Sequence, residues 1–205
     1  VMEAMTTPLD LALEAAQILV VDDDAGAGFQ VYYEAAVAAA GRSFLTVTTP
    51  PTAAQMALFE TVVWLTGNDY TNTLTATDQA ELAAYLDGGG RLFISGQDIG
   101  YHIRTHAFYA DYLHAAYVQD NVGLRGCLGD PSSPVGAGFA FDIKGGTGAN
   151  NQAYPSEIDP IYPARTALFY DPAVLQSGLV NHDLGKGQVE PAAIQSSGTA
   201  GLTVD

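Results

Sequence analysis

Apolar and polar positions follow two alternating periods over the first half of the chain. Ile18-Leu19-Val20-Val21 is a continuous apolar run that stops at Asp22-Asp23-Asp24 and a glycine-rich turn, Ala25 to Gly28. A short run, apolar at every position and closed by turn formers, predicts a parallel strand buried on both faces with its carboxyl-end loop. The Ala-rich stretch Phe29 to Ala40 predicts a helix, with Gly41 as its stop. Phe44 to Val47 predicts a second strand, and Pro50-Pro51 opens a short helical segment through Phe59. Thr61 to Leu65 predicts a third strand, closed by Thr66-Gly67-Asn68-Asp69. The next helix is the best marked: Thr75 stands as N-cap, Asp78 at the capping-box position, Leu82, Ala83 and Leu86 on one face, and Gly88-Gly89-Gly90 as terminator. Leu92-Phe93-Ile94 then predicts a fourth strand, ending at Ser95-Gly96-Gln97-Asp98.

Repeated strand–helix units of this kind give an open, mostly parallel α/β sheet with helices on both faces and right-handed crossovers; if the first, third and fourth strands lie side by side, as in a flavodoxin-like 2-1-3-4 order, their end loops converge. Beyond Tyr101 the pattern changes. Tyr101 to Tyr117 is aromatic-rich and helix-compatible, with Phe108, Tyr112 and Ala115 or Ala116 three to four apart. Gln119 to Pro163 is dense in Gly, Asn, Pro and Ser, with one strand expected at Phe139 to Ile143 and another at Thr166 to Tyr170. Ala192 to Gln195 and Leu202 to Val204 are weaker strand candidates. The expected organisation is one domain over 1–205: an N-terminal extension at 1–17, regular βα units at 18–118, and a loop-rich half at 119–205 cut before a last strand.

Composition narrows the function classes. With 205 residues, 48% apolar and 15% charged, the chain has enough core material for a globule. Lys plus Arg number 7 against 23 Asp plus Glu, a net charge of -16. Such a chain is repelled by phosphate backbones and anionic lipid, which argues against nucleic-acid and membrane partners. No apolar run reaches the roughly 20 residues of a spanning helix. Low Lys with abundant Asp, Gly and Thr points to an extracellular or cell-surface setting. The first basic residue is Arg42 and the chain begins with Val1, which suggests a removed leader or a segment of something longer.

Ligands of open parallel sheets bind beyond the carboxyl ends of the strands. Three strands place polar clusters there, and Asp22, Asp23, Asn68, Asp69, Gln97 and Asp98 are the ligand-crevice candidates. Crowded carboxylates raise one another's proton affinity unless a hard cation, helix N–H groups or water absorbs the charge. Three readings stand: these residues are helix caps and turn formers, they form a small-ligand or catalytic crevice, or they make a Ca²⁺ or Mg²⁺ site, in which Asp22, Asp24, Asp69 and Asp98 would be the ligands. No other cofactor is expected. Gly26-Ala27-Gly28 lacks the third glycine of a dinucleotide fingerprint, since position 31 is Val31. His102 and His106 stand four apart, close enough on a helix to share a metal, but a mixed polar face on a surface helix with aromatic neighbours is the favoured reading. The single cysteine, Cys127, lies in Gly126-Cys127-Leu128-Gly129 and reads as a small apolar filler. Ser95 ends a strand where a nucleophile elbow would stand, without the flanking glycines of that motif. If the chain is an enzyme, Ser95 or an Asp98-activated water is the expected agent. His102, His106 and His182 are the candidate bases for Ser95, none with an evident route to it.

The runs 18–24, 62–69 and 86–100, together with 108–114, 148–152 and 154–156, resemble a flavodoxin-like module of secreted bacterial and archaeal proteins. It is similar to class I glutamine amidotransferase and trehalose-utilisation-type (ThuA-like) domains, modules that occur beside peptidase domains. The resemblance places the amidotransferase thiol at Ser95. The late His-x-Glu pair has no counterpart, because Asn181-His182-Asp183 lacks the Glu. It therefore implies a degenerate, non-catalytic accessory or interaction module, with other domains of the same polypeptide, an extracellular protein or a glycan as partner. A hydrolase and a Ca²⁺-stabilised structural module are the alternatives.

Overall fold

The computed structural model describes residues 16–143 and 152–170. Four strands, β1 (Ile18–Asp22), β2 (Phe44–Val47), β3 (Thr61–Gly67) and β4 (Leu92–Gly96), form one all-parallel sheet in the order β2-β1-β3-β4. Chain direction across the sheet reverses after β2. Right-handed crossovers then put α1 (Gln30–Ala39) on one face and α2 (Ala53–Met56) with α3 (Ala76–Asp87) on the other.

The two faces are unequally filled. Leu19, Val21, Val62, Trp64, Leu92 and Ile94 pack with Met56 of α2 and with Leu82, Tyr85 and Leu86 of α3 in the main core. The alternate positions Val20, Val63 and Leu65 meet Phe29 and Tyr33 in a thinner layer, and α1 has no fully buried residue. Period-two alternation of side chains makes this division, and it also decides where the polar residues at the strand ends point. The helix starts follow local chemistry. Thr75 accepts from the Asp78 N–H while the Asp78 carboxylate accepts from the Thr75 N–H, a complete capping box, and Thr52 and Gln55 repeat it at α2.

After β4 the chain makes two single-turn helices, α4 (Ile99–Ile103) and α5 (Ala107–Asp111), and then a strand, β5 (Ala115–Gln119). The helical expectation for Tyr101 to Tyr117 thus holds only for its first part. Ala115 and Ala116 belong to β5, which pairs antiparallel with β8 (Glu157–Pro160), and that distant pairing overrides the local helical spacing. A third sheet, order β7-β6-β9, joins β6 (Gly126–Gly129), β7 (Ala140–Asp142) and β9 (Leu168–Tyr170). The strands expected near Phe139 to Ile143 and Thr166 to Tyr170 are β7 and β9; β6 and β8 carry no clear period of their own. The strand candidates at 192–195 and 202–204 lie outside the described residues. No described helix is long and apolar enough to cross a membrane.

Candidate functional site

The aspartates at the end of β1 do not act together, because alternation sends them to different faces. Asp23 points to the main core side, where its carboxylate accepts from the Trp64 indole N–H at 3.1 Å. Burial first, and then the charges of Asp78, Asp69 and Asp22, push its carboxyl up to about 6 against the Trp64 bond that lowers it. Asp22 lies on the α1 side, where burial raises its proton affinity, helped by a hydrogen bond and repulsion from Asp24 and by Glu34. Asp24 folds the loop: its two oxygens accept from the Ala27 N–H at 2.8 Å and the Phe29 N–H at 2.7 Å. Asp69 makes an Asx-type turn, accepting from the N–H groups of Thr71 at 2.9 Å and Asn72 at 3.0 Å. Two of the four carboxylates in the expected Ca²⁺ set are thus committed to backbone N–H groups. Among the described residues no group of three or more His, Cys, Asp or Glu is arranged to hold a metal ion.

The expected crevice draws on the end loops of β1, β3 and β4; its β1 side, where strand order reverses against β3, is closely packed. Gly67 stands at φ 54°, and a Cβ there would lie 2.7 Å from Asp24 Cβ and 3.0 Å from the Phe29 ring. The Asp24 loop therefore seals the point where strand order reverses. The open depression lies one strand further along, beyond β3 and β4. There Gly96 allows close approach of the strands: a Cβ on it would stand 1.7 Å from Thr66 Oγ1.

The turn leaving β4 holds the most distinctive residue. Asp98 has φ 85° and ψ 16°, in the left-handed region, and stands at the N-cap of α4 without making a side-chain cap bond. A non-glycine residue held there marks a site that the surrounding structure over-determines. Gly96-Gln97-Asp98-Ile99-Gly100 has glycines two positions either side of Asp98. This is the spacing and the strand–turn–helix setting of a nucleophile elbow, with a carboxylate at its apex. Ser95, where the resemblance put the amidotransferase thiol, lies three residues earlier. Its hydroxyl is inside the strand, only 2% exposed, and accepts from the Tyr33 hydroxyl at 2.9 Å. The elbow glycines were legible in the sequence; centring the motif on Ser95 hid them.

Asp98 lines a cleft of about 470 Å³ together with Asn68, Gln97, Tyr70, Tyr101, Asp120 and Tyr154. Gln97 braces it: its side-chain oxygen accepts from the N–H groups of Ala153 at 2.6 Å and Tyr154 at 3.3 Å, while its amide donates to the Asp98 carboxylate. Asp98 itself is 5% exposed. Burial first, and then repulsion from Asp120, push its carboxyl up to about 7, with the Gln97 bond opposing. The cleft thus presents a carboxyl half-ionised near neutrality, a second carboxylate, amides, and tyrosines 60%, 41% and 51% exposed at 70, 101 and 154. Of the sequence candidates it gathers Asn68, Gln97 and Asp98; Asp22, Asp23 and Asp69 are not among its lining residues. Asp120 and the tyrosines carried no motif: Tyr70 comes from the loop after β3 and Tyr101 from α4, while the segments next to the β5–β8 pairing supply Asp120 and Tyr154.

The remaining candidates serve structure. His102 Nδ1 accepts from the Thr73 N–H at 3.2 Å, and His106 Nδ1 bonds the Gln79 side-chain oxygen at 3.0 Å. Cys127 is fully buried in β6 with Leu168 and Tyr170. His182 lies outside the described residues.

No protein-family model and no curated protein matches the sequence. Among solved structures, the chain is similar to a ThuA-like protein from Bacteroides uniformis ATCC 8492, at 13% identity and a TM-score of 0.53, over 84% of this chain and 71% of that one. The likeness is one of fold.

Proposed function

We propose that this chain is a binding module built on the glutamine amidotransferase-like fold, an accessory domain of a secreted multidomain protein that recognises a ligand or partner in the Asp98 cleft. The observation that carries the reading is Asp98 itself. At the strained strand–helix turn, where thiol-dependent acyl transfer needs a sulfur nucleophile, a carboxyl group stands instead, and its affinity for a proton near neutrality makes it a poor nucleophile. The chain's one cysteine supports the same reading, being enclosed in the β6–β9 sheet core. Candidate partners are neighbouring domains of the same polypeptide, an extracellular protein or a glycan. Incubation with glutamine, p-nitrophenyl esters and glycosides, and with an electrophilic glutamine analogue, should give no turnover and no covalent label. Turnover would overturn the proposal.

One observation favours a second reading. A buried carboxyl titrating near 7 is suited to general acid–base work, so a hydrolase using an Asp98-activated water is the alternative. Under it, Asp98→Asn abolishes a measurable hydrolysis that Ser95→Ala leaves in place.

A further inference from the structure

Taking the cleft as a binding site, we infer that its ligand is an organic cation, an ammonium or guanidinium group that enters between the Asp98 and Asp120 carboxylates and lies against the faces of the surrounding tyrosines. This deepens the binding reading and rests on it.

Charge makes the first part of the case. Among the described residues, Asp98 is faced by Asp120 just beyond β5, by Tyr101 from α4, by Tyr70 from the loop after β3, and by Tyr154. No Lys, Arg or His lines the cleft, and the ion pair between the described residues, Arg42 with Glu60, lies elsewhere. Two acids therefore share a concave, half-enclosed space with no basic group among its lining residues, and burial first, then their repulsion, raises the proton affinity of Asp98. A cation relieves that repulsion; a neutral ligand leaves it in place.

The tyrosines make the second part. Aromatic faces attract cations most strongly where water is partly excluded, with Arg guanidinium the commonest protein partner. The protein shows this next to the cleft: the Arg104 guanidinium lies 5.0 Å from the centroid of the Tyr101 ring and 5.3 Å from that of Tyr117. The tyrosine that walls the cleft thus already stacks on one guanidinium. A volume of about 470 Å³ accommodates a Lys or Arg side chain or a small diamine. The net charge of -16 would also steer such a ligand toward the surface.

Binding a cation favours ionised Asp98, so the group gives up its proton as the complex forms. Affinity should fall about tenfold for each pH unit below 7, and it should weaken with added salt. The test is calorimetric titration of the chain with agmatine, with the peptides acetyl-Gly-Lys-Gly-amide and acetyl-Gly-Arg-Gly-amide, and with maltotriose as a neutral hydroxyl-rich control. Agmatine binding at pH 8, accompanied by proton release when the titration is repeated at pH 6, and weakened tenfold or more at pH 8 in Asp98→Asn and in the surface variant Asp120→Asn, supports the inference. Asn tolerates the left-handed backbone, so Asp98→Asn should fold; the exposed Asp120 gives an independent variant. Peptides binding more tightly than agmatine would identify the source as a partner's side chain, and the reverse a free amine. Maltotriose binding that is indifferent to both variants, to pH and to salt, with no response to the cations, would overturn the cation and leave the binding module standing. No response to any cation at millimolar concentration would also overturn it. Hydrolysis of a probe would instead defeat the binding reading itself.

Discussion

The parallel sheet and the antiparallel pieces that follow it are held together in different ways. In the parallel sheet β1, β3 and β4 are largely buried while the edge strand β2 is only half-buried, and the main core takes in Leu19, Trp64, Leu82 and Ile103. In the second half, the apolar cluster of the β6-β7-β9 sheet has three buried members among the described residues, Cys127, Leu168 and Tyr170. A strand in the first region needs little beyond its own run of apolar residues and the helix after it. A strand in the second needs a partner far along the chain, as Cys127 needs Tyr170 and Ala116 needs Asp159. Yet the cleft draws on both, taking its turn residues from the first region and Asp120 and Tyr154 from the second. The regular half supplies rigidity at the elbow, and the irregular half supplies the walls.

Core truncation should show the contrast most strongly. Leu82→Ala, in the main core, should cost about 3 kcal/mol in denaturant unfolding, and Leu168→Ala, in the small cluster, about 2 kcal/mol because fewer neighbours lose contact. Equal costs would mean that the two regions are equally well packed.

A smaller effect should come from Asp98, on which the regions meet. Its carboxyl rises from 3.8 to about 7 on folding, and that of Asp23 from 3.8 to about 6. Both groups hold protons more tightly folded than unfolded, so their contribution is fully present below about pH 4 and is lost as pH rises through the folded values. Melting temperature should therefore fall between pH 5 and 8. Asp98→Asn should flatten that slope and stabilise the chain at pH 8 by roughly 1–2 kcal/mol, since it removes a buried charge near Asp120. An unchanged slope would place Asp98 in open solvent.

Local capping in the first region predicts less. Thr75→Ala should cost about 1 kcal/mol by removing one half of the capping box. The smallest effect expected is none: because Asp24 and Asp69 are engaged by backbone N–H groups, excess chelator or millimolar Ca²⁺ should leave the melting curve in place. A shift of several degrees would restore a cation to the strand ends.

The same contrast explains what could be read from the sequence. Strand order and helix placement in the first half follow from runs such as Ile18 to Val21 and from stop signals such as Gly88-Gly89-Gly90, all local features. β6 was not legible because Gly126-Cys127-Leu128-Gly129 has neither period nor β-formers; its pairing, not its composition, makes it a strand. At the site, Asn68, Gln97 and Asp98 were found from the strand-end rule. The Asp22 to Asp24 run is divided by strand alternation, which sends Asp23 to the Trp64 side and Asp22 to the α1 side, and none of the three lines the Asp98 cleft. Tyr70, Asp120 and Tyr154 were invisible because only the fold brings them together.

The most direct test is a ¹³C carboxyl titration of the protein, with Asp98→Asn to assign the signal. The account predicts that the Asp98 resonance titrates near pH 7, and that agmatine moves its midpoint down. A midpoint near 4, unmoved by agmatine, would show a solvated carboxylate without an acidic neighbour and would contradict the claim that the strand-end cleft is built around it.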